Sequence, residues 1–306
     1  MVECVPNFSE GRNPAKIDAI AKAIASVPGA LMLHRTSDSD HNRSVITFAG
    51  AADAVEEAAF RAASTASTLI DLREHRGVHP RVGALDVLPF VPLEGTTLEE
   101  CVEIAHRVGG RIWDELRIPI YFYEAAARRA ERQKLEDVRR GEFEGLLTAC
   151  ETDEAKRPDI GGPGLHPTAG AVIIGARKFL IAFNINLHSS DVGIAKEIAR
   201  KIRASSGGLP AVKALGLKLE SRGLVQISMN LTDYEQTGLA TVFEAVSKLA
   251  QERGVTIAES ELIGLAPREA WEQAAAAFLK LPAFDGQKIV ENRIERLRVA
   301  PRQDTH

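Results

Sequence analysis

The chain has 306 residues with a net charge of -4, 45% hydrophobic and 26% charged residues, which suits two soluble globular domains and lacks the basic footprint of a nucleic-acid binder. No run approaches the roughly 20 apolar residues of a membrane span, and the N-terminal VECVP has neither a basic n-region nor a long apolar h-region, so no signal peptide is expected. Cys4, Cys101 and Cys150 are widely spaced and odd in number, which points to free thiols in a reducing cytoplasm, with no disulfide framework and no zinc site.

Residues 2–6 read as a short apolar strand. Asn13-Pro14 caps a helix whose apolar positions Ile17, Ile20, Ala21 and Ile24 recur at helical spacing, and Gly29 ends it. Strands follow at 30–33 and 44–48, then an alanine-rich helix from Asp53 to about Leu69 and a fourth strand at 84–92. A capping box, Thr97 with Glu100, opens a helix over 97–116, and 118–123 is a further strand. The first six elements plus the last strand give the order β-α-β-β-α-β, with an extra helix near the end. A join follows at 124–168: a charged helix from Ala125 to about Arg140, then a Gly/Pro/Asp-rich stretch, 151–167, long enough to be functional or disordered.

The second half repeats the pattern. A strand covers 179–187, Asp191 caps a helix to about Ala204, and strands 212–219 and 224–230 meet at the turn Ser221-Arg222-Gly223. Asp233 begins a helix to about Arg253, 255–262 is a strand, Pro267 opens a last helix, and the tail from Pro301 is expected to be disordered. The fold class is therefore α/β (α+β): two tandem ferredoxin-like βαββαβ subdomains with a ligand cleft between them. The domains run 1–177 and 178–300, with a tail at 301–306.

Four stretches can carry chemistry. Residues 73–89, REHRGVHPRVGALDVLP, set two histidines and three arginines immediately before a buried-strand signal, at a sheet mouth where loops present catalytic groups. His79 lies there with Arg81 and Asp86, and a histidine titrating near neutrality can take and return a proton; a loop histidine capping a carbonyl is the plainer reading. SDSDHNR at 37–43 offers Asp38 and Asp40 to orient a histidine or hold an amine, and Arg43 to grip a carboxylate; a solvated turn is the alternative. GGPGLHPTAGAVIIGARK at 161–178 combines glycines that admit a flat ligand with Arg177 and Lys178 for an anion, yet lacks both nucleotide-binding glycine motifs. PNFSEGR at 6–12 and FNINLHSS at 183–190 place Asn7, Ser9, Asn184 and Asn186 at polar strand ends. A metal held by His34, Asp38, Asp40, His41, His75 and His79 is not expected, because neither HEXXH nor CxxC is present.

The motifs VECVPNFSEGRN (2–13), NRSVITFAG (42–50), HRGVHPRVGALDVLPF (75–90), GARKFLIAFNINL (175–187) and LVQISMNLTDYEQT (224–237) resemble glutamate formimidoyltransferases (formiminotransferases), collinearly over nearly the whole chain. The resemblance implies two α/β subdomains with folate between them, a cytoplasmic homodimer, and transfer of a formimidoyl group from N-formimidoyl-L-glutamate to nitrogen-5 of tetrahydrofolate in histidine degradation. Tetrahydrofolate is then a co-substrate and no metal takes part; nucleic acid and membrane are not partners. The resemblance assigns His79 as catalytic acid/base. Asn7, Asp38, Asp40, His41, Asn42, Arg43, Arg81, Asn184 and Asn186 are expected to bind substrate. Folate is expected along Gly161, Gly162, Pro163, Gly164, His166, Pro167 and Thr168, with Arg177 and Lys178. Animal members carry an acid near Thr36, where this chain has threonine with Asp38, Asp40 and His41 close by. Some animal members are fused to a cyclodeaminase; this chain is too short for that second domain, so ring closure is expected to need another enzyme. Three rivals stand beside this reading: a 5-formyltetrahydrofolate-processing enzyme of the same family, a metal-dependent amidohydrolase, and a folate-binding protein without catalysis.

Overall fold

The structure, a computed structural model, describes residues 1–77, 79–272, 290, 293 and 294. Its tertiary contacts separate two units, Met1–Arg177 and Lys178–His306.

The first unit opens with two short strands, β1 (Val2–Cys4) and β2 (Asn7–Phe8), interrupted at Val5-Pro6. Helix α1 (Pro14–Ala25) follows, with Asn13 Oδ1 accepting from the amides of Ala15 and Lys16 and Pro14 at its first position. Strands β3 (Leu31–Asp38) and β4 (Arg43–Gly50) form a hairpin. The alanine-rich α2 (Ala52–Leu69) buries Ala54, Val55, Ala58, Ala59, Ala62, Ala63 and Ala66, small side chains that let a helix lie close to what it covers. Strand β5 (Leu85–Pro92) is buried along nearly its whole length, and β1 and β2 both pair antiparallel between β4 and β5. The spatial order β5, β1/β2, β4, β3 is that of a ferredoxin-like sheet.

The fourth strand of this unit is β5, not the last strand of the first half as the sequence suggests. Helix α3 (Leu98–Leu116) and strand β6 (Ile120–Glu124) are an added crossover, and β7 (Val172–Ala176) inserts between β5 and β6, parallel to both. The α3 capping box is present: Glu100 N donates to Thr97 Oγ1 at 3.2 Å and Thr97 N to Glu100 Oε2 at 2.8 Å.

The charged helix expected over 125–140 does not form. Glu124 takes a positive φ, a short 3-10 turn covers Ala130–Arg132, helix α4 is only Leu135–Val138, and Gly141 at φ 100° precedes α5 (Glu142–Thr152). The stretch is polar all round, so no single apolar stripe holds one long helix. Arg132 turns inward instead, pairing with Asp159 at 2.6 Å and donating to the Ala155 and Arg157 carbonyls. Helix α5 went unseen in the sequence, although Phe143, Leu146 and Cys150 bury at helical spacing. Helices α1–α3 belong to the main core, while Val138, Leu146 and Cys150 pack with Tyr121, Tyr123, Ile173 and Val87 in a second one.

The second unit is β8 (Ile181–Leu187), α6 (Val192–Ile202), β9 (Val212–Leu219), β10 (Leu224–Leu231), α7 (Leu239–Glu252) and β11 (Ile257–Ile263), in sheet order β11-β8-β10-β9. That is again the βαββαβ arrangement. Asp191 caps α6 through Gly193 N at 2.8 Å. Helix α7 starts at Leu239 rather than at Asp233, because Asp233 spends its carboxylate on Lys178, Gln236 and the Glu235 amide. A short α8 (Arg268–Glu272) follows Pro267, and the tail from Pro301 lies outside the described residues. The cysteines are free and buried, and among the described residues no helix is long and apolar enough to cross a membrane.

Thr97→Ala removes one half of the α3 cap. It should lower stability to urea by about 1 kcal/mol, read as a lower denaturation midpoint with an unchanged slope.

Candidate active site

Three segments meet at one end of the first sheet: the chain leaving β2, the β3–β4 turn, and the loop from α2 to β5. Asn42 ties them together. It sits at φ 48°, a left-handed conformation that asparagine tolerates better than most residues. Its Oδ1 accepts from Gly11 N at 2.9 Å, its Nδ2 donates to Arg76 O at 3.0 Å, and its carbonyl accepts from His75 Nε2 at 2.9 Å. The segments are close enough to demand glycine at two points. A Cβ on Gly11 would lie 2.1 Å from Asp38 O, and one on Gly77 2.3 Å from His41 O.

Between them is a pocket lined by Asn7, Phe8, Ser9, His41, Asn42, Arg43, His75, His79, Arg81 and Asp86. At its centre Arg43 Nη1 donates to His79 Nε2 at 2.8 Å. A guanidinium can only donate, so Nε2 is the acceptor and the neutral ring carries its proton on Nδ1. Burial pulls the His79 pKa down to about 4, helped by the charges of Arg43 and Arg139 and opposed by Asp86 and a hydrogen bond with the Pro80 backbone. The imidazole is thus uncharged across the neutral range. Because the unfolded chain takes up this proton first as pH falls below about 6.5, the site loses stability on acidification through that window, down to the folded value.

The surrounding charges have separate duties. Asp86 accepts from Val82 N at 2.7 Å and Gly83 N at 3.4 Å and pairs with Arg139, so it shapes the turn after His79. Arg81, expected as a substrate cation, instead grips Glu144 bidentately at 2.7 and 2.9 Å, with Glu142 at 3.6 Å. Arg43 has no carboxylate within ion-pair distance among the described residues, and burial lowers its pKa to about 10. Four atoms of pocket-lining residues are buried without a partner: Asn7 Oδ1, Arg43 Nε, His75 Nδ1 and Arg81 Nε. Buried polar groups of this kind are the ones a polar ligand satisfies.

Among the expected substrate residues, Asn7, His41, Asn42, Arg43 and Arg81 therefore line one pocket with His79. Asp38 and Asp40 do not. Asp38 holds the turn, accepting from the amides of Asp40 and His41 and pairing with His41 Nδ1 at 3.0 Å, which keeps its carboxyl below its ordinary pKa. Asn184 and Asn186 lie in the second unit, where they donate to Glu261 and Glu259, both at 3.1 Å.

The expected folate loop divides. Gly161 packs on Trp113, leaving no room for a Cβ, and Gly162, Pro163 and Gly164 do not line the pocket. Residues 166–170 are laced to both ends of the His79 loop instead. Thr168 O accepts from Leu72 N and Ala169 O from Ala84 N, each at 2.9 Å. His166 Nδ1 accepts from Ala169 N at 3.0 Å, and Pro167 lies within that turn. Arg177 N bonds Phe90 O at the end of the first unit, and Lys178 pairs with Asp233 at 2.7 Å and Glu235 at 3.1 Å in the second. Arg139 escaped notice because it falls in the stretch read as one charged helix, and Glu144 because α5 was not expected; the Arg-Arg-Gly at 139–141 was the available sign of a break.

These features sit in a known class. The N-terminal subdomain model of the formiminotransferase domain matches residues 1–177, and a second formiminotransferase domain model matches 182–300. The chain belongs to the formiminotransferase family. It is 46% identical over 295 residues to a glutamate formimidoyltransferase of Streptococcus pyogenes serotype M1, covering 96% of this chain and 98% of that one. It is 45% identical over 297 residues to a glutamate formimidoyltransferase of Thermoplasma acidophilum, covering 97% and 98%. Against the formimidoyltransferase-cyclodeaminase of Sus scrofa it is 46% identical over 284 residues, covering 91% of this chain and 52% of that protein.

In the ligand-free protein the His79 ring should titrate near pH 4 by NMR. Asp86→Asn removes the one carboxylate opposing that depression and should move the midpoint lower still.

Proposed function

We propose that this chain is a glutamate formimidoyltransferase of histidine degradation, carrying the formimidoyl group of N-formimidoyl-L-glutamate to nitrogen-5 of tetrahydrofolate. The near full-length likeness to two proteins of that name supports the substrates. One observation carries the chemistry: a neutral imidazole whose Nε2 meets a buried guanidinium in a polar pocket. Nitrogen-5 attacks the amidine carbon. His79 takes the proton released from that nitrogen and returns it to the departing glutamate nitrogen, so one residue serves as base and then acid. A ring that is uncharged before the donor binds enters this cycle as a base. Arg43 meets a donor carboxylate, and Asn7 offers hydrogen bonds to the adduct. Holding donor and folate together supplies the remainder of the acceleration. No covalent enzyme intermediate is needed, and the mechanism uses no metal.

Units 1–177 and 178–300 act as the two formiminotransferase subdomains of a cytoplasmic homodimer. Folate runs past the 161–168 loop, whose 166–169 end is bonded to the His79 loop, and reaches Arg177 and Lys178. Asp38 and Asp40 set the turn that presents Arg43, and Asn184 and Asn186 complete the substrate contacts.

His79→Gln should lower transfer from N-formimidoyl-L-glutamate by on the order of 10²–10⁴-fold while tetrahydrofolate affinity stays within a few-fold. A variant that transfers as fast as wild type sinks the reading. Assaying 5-formyltetrahydrofolate beside the amidine donor separates the formyl-processing alternative, and activity surviving a chelator separates the metal-dependent hydrolase.

A further inference from the structure

The nitrogen that must accept the proton is not free. Its lone pair takes the Arg43 N–H at 2.8 Å. The same guanidinium is a part-buried cation with no ion-pair partner among the described residues: Asp86 is committed to Arg139, Glu144 to Arg81, and Asp38 to His41 and its own turn. Its Nε is buried and unbonded. A carboxylate outcompetes a neutral imidazole for a guanidinium, because charge-assisted N–H···O⁻ bonds are roughly twice as strong as neutral ones and the fork fits two oxygens at once.

We propose that Arg43 is a latch on His79 opened by the donor's own carboxylate. Without an anion, Nη1 holds Nε2 and the base is masked. When a carboxylate enters, the guanidinium turns to it, Nε2 is released, and the positive charge beside the ring is neutralised. The proton then moves from nitrogen-5 to Nε2 as the new C–N bond forms, and from Nε2 to the glutamate nitrogen as the old C–N bond breaks. No oxidant or reductant is consumed. Amidines lacking the carboxylate leave the latch shut, so the device couples proton acceptance to the right donor. The other charged or titratable groups facing the ring are Arg139 from the segment after α4, Asp86 on β5 and His41 from the turn, whose ring centre is 6.4 Å away.

This inference rests on His79 being the proton carrier, which the transfer assay of His79→Gln decides separately. The test here is the NMR titration of His79 in the full chain, with and without saturating glutarate, a dicarboxylate that cannot react, and with neutral glutaramide as the control. Expected is a midpoint near 4 in the free protein that rises by one pH unit or more with glutarate and stays put with glutaramide. Arg43→Gln should start above the wild-type midpoint, still held below the ordinary value of about 6.5 by burial and Arg139, and not respond to glutarate. Arg43→Lys, which keeps a charge and a donor, should retain a low midpoint and confirms the case if Arg43→Gln fails to fold. A His79 midpoint that glutarate leaves unmoved in wild type, or one that is the same in wild type and both variants, overturns the latch even if His79→Gln abolishes transfer.

Discussion

The site depends on one asparagine backbone held on the left-handed side of φ. From the β3–β4 turn, Asn42 offers its amide oxygen to the chain after β2 and both its amide nitrogen and its carbonyl to the loop before β5. With this junction in place the β3–β4 turn, the chain after β2 and the long loop before β5 cannot slide past one another, and Gly11 and Gly77 give them room to close in. His79 has no secondary structure of its own. Its position follows from that junction and from Asp86, which fastens the next turn.

Charge is sorted in the same region with little waste. Arg81, which looks like a ligand binder in the sequence, is structural, clamped by Glu144, and Arg139 is likewise held by Asp86. The Arg139–Asp86 pair is largely removed from water, where losing one partner strands a buried charge, and Arg81 is itself buried although Glu144 is exposed. Both acidic partners of these arginines are thereby unavailable to Arg43, which stands against the imidazole with only distant counter-charges. Burial lowers the basicity of His79 first, and the uncompensated charge of Arg43 adds to it.

Much of this was legible in the sequence. The period of apolar residues gave both βαββαβ units, and cap residues such as Asn13, Thr97 and Asp191 marked helix starts to within a residue. The chemical stretches around His79 and Arg43 stood out because Gly and Pro confine the backbone there. What stayed hidden was long-range. Nothing local says that Arg81 faces Glu144, 63 positions on, or that Val172–Ala176 slips between two strands made much earlier. The segment 125–140 reads falsely as one helix because its buried members include a charged one, Arg132, whose partner Asp159 is supplied only by the tertiary fold.

That late insertion bears on how the protein is made. A nascent chain that has emerged only as far as Glu124 holds β5 and β6 with a gap one strand wide and bare amides on either side, the kind of edge that recruits wrong partners. The gap closes only when β7 arrives, after the whole 125–171 detour. The residues just before β7 are those bonded to the His79 loop, and the residue just after it bonds β5. Filling the sheet and tying down the His79 loop therefore fall to one short stretch of chain, 168–177.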